Sequence, residues 1–463
     1  MGIKKQCAEL MNRILKPKHS LRLEMIGCLI FYILLSVSVF SGPVAFICFI
    51  VCAVLLLFLQ NDAMFRWLLF AFPFAVVFKM TPDSSSFFTY LEFLALFLCI
   101  VRMRKFSPLI MLILALLALE VVARINSFGA IVDIVKLTAG LMLLYFFTEE
   151  YQRKDAVKYV SFFLAGMIAS SLLGMFKLYI PRFLSMYYGE IDYVTIGSRE
   201  VMRFEGIFND PNYFAIAAML CVLVCLLETV SGTYKGSKKS RNRWLCAVLG
   251  FVLFSVSGLA TVSKSFFLLY AVTIVTVVLC LHKVSPLLKK FNLLKIGIAG
   301  ILLLIVVVLV DPFDLVSSVL YRLTASNILT GRGAIWVDYW NSITQTVGAF
   351  LFGSGIDAGY INNRAAHNMY LESVYYIGLM GLLLYIGANA LIVWCKRRPF
   401  QRSLVNYLGF LILAMAFFFL CGLNRTEIKY YLMIGFIVYN RDFLKNRTRL
   451  EEIKKCERKG HLE

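Results

Sequence analysis

Long apolar runs separated by short polar punctuation make up most of this chain. They fall near 24–41, 43–59, 66–80, 87–101, 107–122, 128–148, 158–180, 212–230, 244–262, 266–282, 293–310, 373–394, 404–421 and 427–440. A helix crosses the hydrocarbon core of a bilayer with roughly 20 such residues, and fewer suffice where neighbours shield it. The pattern therefore predicts an all-α integral membrane protein of about 14 (roughly 12–14) transmembrane helices with a long, partly helical extracytoplasmic loop. No fixed-period repeat and no Gly/Ser-rich or Pro-rich linker divides the chain, so residues 1–463 are expected to form a single polytopic domain. Two connections depart from the tight spacing, residues 181–211 and residues 311–372. Loops of that length in a compact bundle tend to carry function or structure of their own. In the second, "DLVSSVLYRL" (314–323) and "AIWVDYWNSI" (334–343) repeat at helical spacing. The latter is expected to put Ile335, Tyr339 and Trp340 on one face and, with Trp336, to lie in the membrane interface.

Composition and charge sharpen this picture. With 60% hydrophobic and 16% charged residues and a mean hydropathy of +0.79, a soluble multidomain protein is excluded. The net charge of +20 does not point to nucleic acid, because the basic residues recur in short clusters between apolar runs. That is how membrane topology is encoded. Lys4, Lys5, Arg13, Lys16, Lys18 and Arg22 predict a cytoplasmic N-terminus; alternation then puts every dense basic cluster, including the tail after Arg441, on the same side. Both termini are thus expected in the cytoplasm. The first apolar run follows basic residues without a small-residue cleavage site, which predicts a retained span. Twelve cysteines show neither CxxC pairing nor metal-ligand spacing, so no disulfide framework, metal site or cofactor is expected.

Basic residues on the outer side break the positive-inside pattern and need a reason. The topology puts Arg182, Arg199 and Arg203 in the first long loop, Arg322, Arg332 and Arg364 in the second, and Lys264 at the outer junction of two spans. A single one is explained by snorkelling. Together they describe an anion site, for which the planar guanidinium fork is suited, and an anion at a membrane surface is most simply the phosphate of a lipid. Of four histidines, His19, His282 and His461 fall on the inner side and His367 on the outer. His367 is either a locally bonded loop residue or a base near neutral pH; Arg364, Asn368, Tyr370 and Glu372 surround it in sequence. Among charges inside the spans, Asp133 and Lys136 sit one turn apart, where they can neutralise each other. Glu92 and Lys177 have no sequence partner.

Three segments together resemble the O-antigen ligase and Wzy-type polysaccharide polymerase superfamily of bacterial multispan glycosyltransferases: "RFEGIFNDPNYFAI" (203–216), "TVSKSFFLL" (261–269), and "GRGAIWVDYW" (331–340) with "LFGSGI" and "HNMYLESVYYIGLMGLLL" (351–384). The likeness is strongest from about 200 to 390 and short in each motif. It implies a metal-independent inverting transferase in the bacterial cytoplasmic membrane. Such an enzyme takes a polyprenyl-pyrophosphate-linked oligosaccharide as donor, with a flippase and a chain-length regulator as candidate partner proteins. Carried over, Arg203, Arg332 and Lys264 stabilise the leaving pyrophosphate and His367 activates the acceptor hydroxyl. Asn212 and Asn368 match as well and would bind substrate, and Arg199, Arg364 and Tyr370 are further candidates for glycan contact. Lys264 stands where relatives carry arginine, which keeps the charge and loses the fork. The resemblance covers both repeat-unit polymerases and ligases that move a finished glycan to a lipid or protein. The Lys-, Ile- and Phe-rich composition favours the polymerase. From a different class, a transporter or flippase for lipid-linked glycan is the rival expectation.

Overall fold

A computed structural model of the chain describes residues 21–38, 42–81, 84–103, 108–122, 128–151, 156–179, 193–196, 199–208, 210–231, 238–281, 332–356 and 358–394. The expected spans at 293–310, 404–421 and 427–440, the helix at 314–323, and Arg182 and Arg322 lie outside them. The described helices are α1 (Leu21–Ser38), α2 (Gly42–Phe58), α3 (Asn61–Ala71), α4 (Phe87–Met103), α5 (Pro108–Val122), α6 (Phe128–Tyr151), α7 (Ala156–Tyr179), α8 (Pro211–Ser231), α9 (Lys238–Leu259), α10 (Lys264–Leu281), α11 (Arg332–Ile343), α12 (Val347–Phe352) and α13 (Met369–Trp394). The short strands β1 (Tyr193–Ile196) and β2 (Arg199–Met202) pair antiparallel, with Tyr193 opposite Met202.

Three of these helices are long and apolar enough to cross a membrane: Leu21–Ser38, Arg241–Leu259 and Met369–Leu391. Others, such as Gly42–Phe58 and Pro211–Leu226, are apolar but shorter. The run at 66–80 does not form one helix. Pro73 lacks the N–H that an α-helix would use, so α3 gives way at Phe72–Phe74 to a single 3₁₀ turn.

Aromatic packing holds the first helices together. Phe31 on α1 meets Trp67, Phe74 and Phe78 edge to face, with ring centroids 5.3, 5.5 and 5.4 Å apart. Between helices in lipid there is no water to expel, so shape and ring quadrupoles carry more of the association than they do in a soluble core.

One end of this group contains an ion cluster of which sequence spacing shows only the Asp62–Arg66 pair, four residues apart on one helix. The Arg66 guanidinium grips Glu24 through both oxygens, at 3.0 and 2.8 Å, and reaches Asp62 at 2.9 Å. All three side chains are buried, and the guanidinium lies 5.4 Å from the centroid of the Tyr159 ring on α7. At the same end, Arg102 on α4 donates to the carbonyls of Leu57 and Leu59 at 2.8 and 2.7 Å, tying down the C-terminus of α2. From Tyr159, α7 continues for 15 residues, or roughly 22 Å, to Gly174, whose missing side chain lets the Gly206 backbone lie against the helix. The loop after β2 is thereby fixed at the opposite end of the bundle.

Candidate functional site

Asp210 and Pro211 begin this end of the molecule. Proline at the first helical position and an aspartate before it form a strong helix start, and the Asp210 carboxylate accepts from the Asn212 backbone N–H at 2.7 Å. Asn212 is therefore placed rigidly in the first turn of α8. Its side-chain oxygen accepts from the Arg203 guanidinium at 3.4 Å and from the Ser263 hydroxyl at 2.9 Å.

Ser263 belongs to the tight turn between α9 and α10, which is strained. Val262 has φ 49°, the left-handed region that a β-branched residue rarely enters. A conformation of this kind costs on the order of 1–3 kcal/mol and persists only where surrounding bonds over-determine it. Here the Thr261 hydroxyl donates to the Gly258 carbonyl and accepts from the Ser263 N–H, at 2.7 and 3.2 Å. The turn then faces the loop after β2. Its Thr261 carbonyl accepts from Arg203 Nε at 2.9 Å, and its Ala260 carbonyl accepts from the Phe204 N–H at 2.9 Å. Arg203, a buried guanidinium, is thus aimed by two neutral oxygens. Lys264, the next residue, opens α10, whose first turn contains no acidic side chain.

The second half of the site comes from residues more than a hundred positions later. Asn368 caps α13, its side-chain oxygen accepting from the N–H groups of Tyr370 and Leu371 at 3.1 and 3.2 Å. His367, just before the cap, has φ 49°. The segment leading to it is held by α11: Trp336 Nε1 donates to the Ala366 carbonyl at 2.8 Å, and the Tyr339 hydroxyl donates to the Arg364 carbonyl at 2.9 Å. Burial, and then the Glu372 carboxylate, push the Tyr339 phenol well above its ordinary range, so it remains a donor.

The two halves meet electrostatically at His367. Burial lowers its pKa from 6.5, the positive charge of Arg332 lowers it further, and the carboxylate of Asp210 opposes both. The imidazole is therefore held neutral near pH 7, as a proton acceptor must be. The structure brings Arg203, Asn212, Lys264, Arg332 and His367 to one end of the bundle. Asn368 uses its side-chain oxygen in the helix cap, Tyr370 is half-buried in the first turn of α13, Arg364 is exposed, and Arg199 opens β2. The expected face of α11 is corrected. Tyr339 and Ile343 are buried while Trp340 is 52% exposed, because the helix turns its i, i+4 pair inward and leaves Trp340 a turn-edge away.

Asp210, Thr261, Ser263 and Trp336 complete the site and were not singled out from sequence as parts of it. An Asp-Pro pair before an apolar run was a readable signal for Asp210; the carbonyl bonds of the others have none. Among the described residues no group of three His, Cys, Asp or Glu side chains is placed to hold a metal.

No family model, no curated protein and no solved structure matches the chain.

Behind the site, α13 is broken. Gly378 has φ 68° and ψ 177° inside the helix, which deprives the carbonyls one turn back of their intrahelical donors. Those of Tyr375 and Tyr376 accept instead from the N–H groups of Ser354 and Gly355, at 2.7 and 3.0 Å. Gly353 and Gly378 lie backbone against backbone, and a Cβ on either would strike the other strand of chain. Non-helical backbone at membrane depth is tolerated only where protein supplies such partners.

Proposed function

We propose that this chain is a multispan glycosyltransferase of the bacterial cytoplasmic membrane, with about 14 spans and the His367 end facing outward. It would join polyprenyl-pyrophosphate-linked oligosaccharide repeat units into a surface polysaccharide. The observation that carries the reading is the junction of Arg203 and Lys264 with Arg332 and His367. Three cations and one imidazole kept neutral, drawn from three separate segments, converge at a common end of the bundle. The motif resemblance of these same segments supports it.

The chemistry follows from charge. The acceptor hydroxyl oxygen forms a bond to the anomeric carbon as the bond from that carbon to the pyrophosphate oxygen breaks, inverting the centre. The hydroxyl proton passes to the His367 imidazole, which returns it to water. The electron pair leaves with the polyprenyl pyrophosphate, whose growing negative charge is stabilised by Arg203, Arg332 and Lys264 without a metal. The Thr261 carbonyl and the Asn212 amide oxygen fix the direction of the Arg203 guanidinium, as a preorganised cation requires.

The test uses glycan lipid extracted from cells lacking this protein, supplied to membranes carrying wild type or His367→Gln. Wild type should release polyprenyl pyrophosphate and build a ladder of chain lengths, and His367→Gln should do neither at equal abundance. A ladder from His367→Gln removes the base from the mechanism. A single transfer without a ladder would favour the ligase reading, and movement of intact glycan lipid across the bilayer would favour the transporter.

A further inference from the structure

We infer that Trp336 is a positioning residue for His367, acting through the Ala366 carbonyl, so that one helix, α11, holds the leaving-group cation and the base in register. The inference rests on the reading of His367 as the base. Its geometry begins with the left-handed backbone of His367, φ 49°, a conformation that histidine enters more readily than most residues but that still has to be held by its surroundings. The anchor on the C-terminal side is the Asn368 cap of α13. On the N-terminal side it is the indole N–H of Trp336, 2.8 Å from the carbonyl of buried Ala366. The Tyr339 hydroxyl makes a second bond two residues earlier, at 2.9 Å.

Trp336 is four residues after Arg332, so both sit on the same side of α11. Arg332 is the cation whose charge reaches the imidazole, opposed by the Asp210 carboxylate. Loss of the indole bond would let the 364–367 segment relax away from the helix that carries Arg332. The competing role is an interfacial anchor, for which a tryptophan needs its ring and its amphipathic placement. An anchor tolerates phenylalanine; a bond to Ala366 does not.

Trp336→Phe keeps the ring and removes the donor. Measured as polyprenyl pyrophosphate release per mole of folded protein in membranes, kcat should fall about 10- to 100-fold, the scale of a small misplacement of a reacting group. The KM for glycan lipid should stay near wild type. The acid limb of the pH profile should move up toward 6.5 as the imidazole leaves the influence of Arg332. Tyr339→Phe should show the same changes in weaker form, and it decides the matter if Trp336→Phe does not accumulate. Wild-type kcat and pH profile in Trp336→Phe, or in Tyr339→Phe as its replacement, overturn the inference. His367→Gln run in parallel separates the two levels: an inactive His367→Gln beside a normal Trp336→Phe sinks the positioning role alone, and an active His367→Gln sinks the base and this inference with it.

Discussion

Two buried arginines, Arg66 and Arg203, sit at opposite ends of the bundle and are held in opposite ways. Arg66 is bonded by two carboxylates, Glu24 and Asp62, at 2.8–3.0 Å. Arg203 is bonded by a backbone carbonyl and an amide oxygen. The first arrangement cancels charge, and it knots α1, α3 and α7 together. The second fixes the direction of the guanidinium through oxygens that carry no formal charge. Ionisable groups in a membrane protein are functional suspects by default, and the partners of a guanidinium divide the suspects. We read the carboxylate-held Arg66 as a joint and Arg203 as part of the tool that the proposed function needs.

The largest effect expected from breaking this contrast is at the joint. Arg66→Leu leaves Glu24 and Asp62 buried without their cation, a loss of about 3–5 kcal/mol. It should appear as lower membrane abundance and a lower unfolding temperature in detergent, with per-molecule activity of the surviving protein near normal. Selective loss of turnover at normal abundance would erase the distinction between the two arginines. Next comes the tool. Arg332→Gln should cost about 10²–10³-fold in turnover, the scale of one lost electrostatic donor, while abundance stays close to wild type.

Lys264 sharpens the contrast further. If a point charge suffices there, Lys264→Arg should keep substantial activity and Lys264→Gln should lose about tenfold or more in turnover. A fully active Lys264→Gln would make the lysine an anchor, belonging with Arg102 rather than with Arg203. The chain-length distribution and membrane abundance of both variants decide it.

The smallest effect is in pH dependence. His367 must be neutral to accept a proton, so activity falls as pH drops through its pKa, which burial and Arg332 hold below 6.5. Arg332→Gln should move that acid limb upward. Asp210→Asn removes the one charge that raises the pKa and should move the limb downward. The same depression has a stability consequence. Below pH 6.5 the unfolded chain takes up a proton on this histidine before the folded one does, so His367 favours unfolding as pH falls toward the folded value. Shifts of the same sign in both variants would detach His367 from one of the two groups.

Much of the tool was readable from sequence and little of the joint. Arg203, Arg332, Lys264 and His367 stand out because they interrupt a hydropathy and charge pattern whose rules are local. Helix positions were readable for the same reason: the run at 128–148 became Phe128–Tyr151, and that at 158–180 became Ala156–Tyr179. The Glu24–Arg66 pair joins residues 42 positions apart, and nothing near either predicts the other. Arg66 lies in a run read simply as a short span. Trp336 and Tyr339 act on backbone carbonyls, which every residue has, so their targets carry no sequence mark. Spacing grouped Trp340 with Tyr339 on one face of α11, but it does not say where the buried side of the helix ends, because that depends on where α13 lies.

The break at Gly378 has a consequence for how the protein is made. A continuous apolar helix brings all its hydrogen bonds with it and can enter a bilayer by itself. The span built on α13 cannot, because the Tyr375 and Tyr376 carbonyls find their donors in Ser354 and Gly355, which leave the ribosome some twenty residues earlier. That segment has to be in place beside the helix when the helix packs. Insertion of this span and closure of the loop beside His367 are therefore one event, and a chain that completes the span has, in the same step, assembled its site.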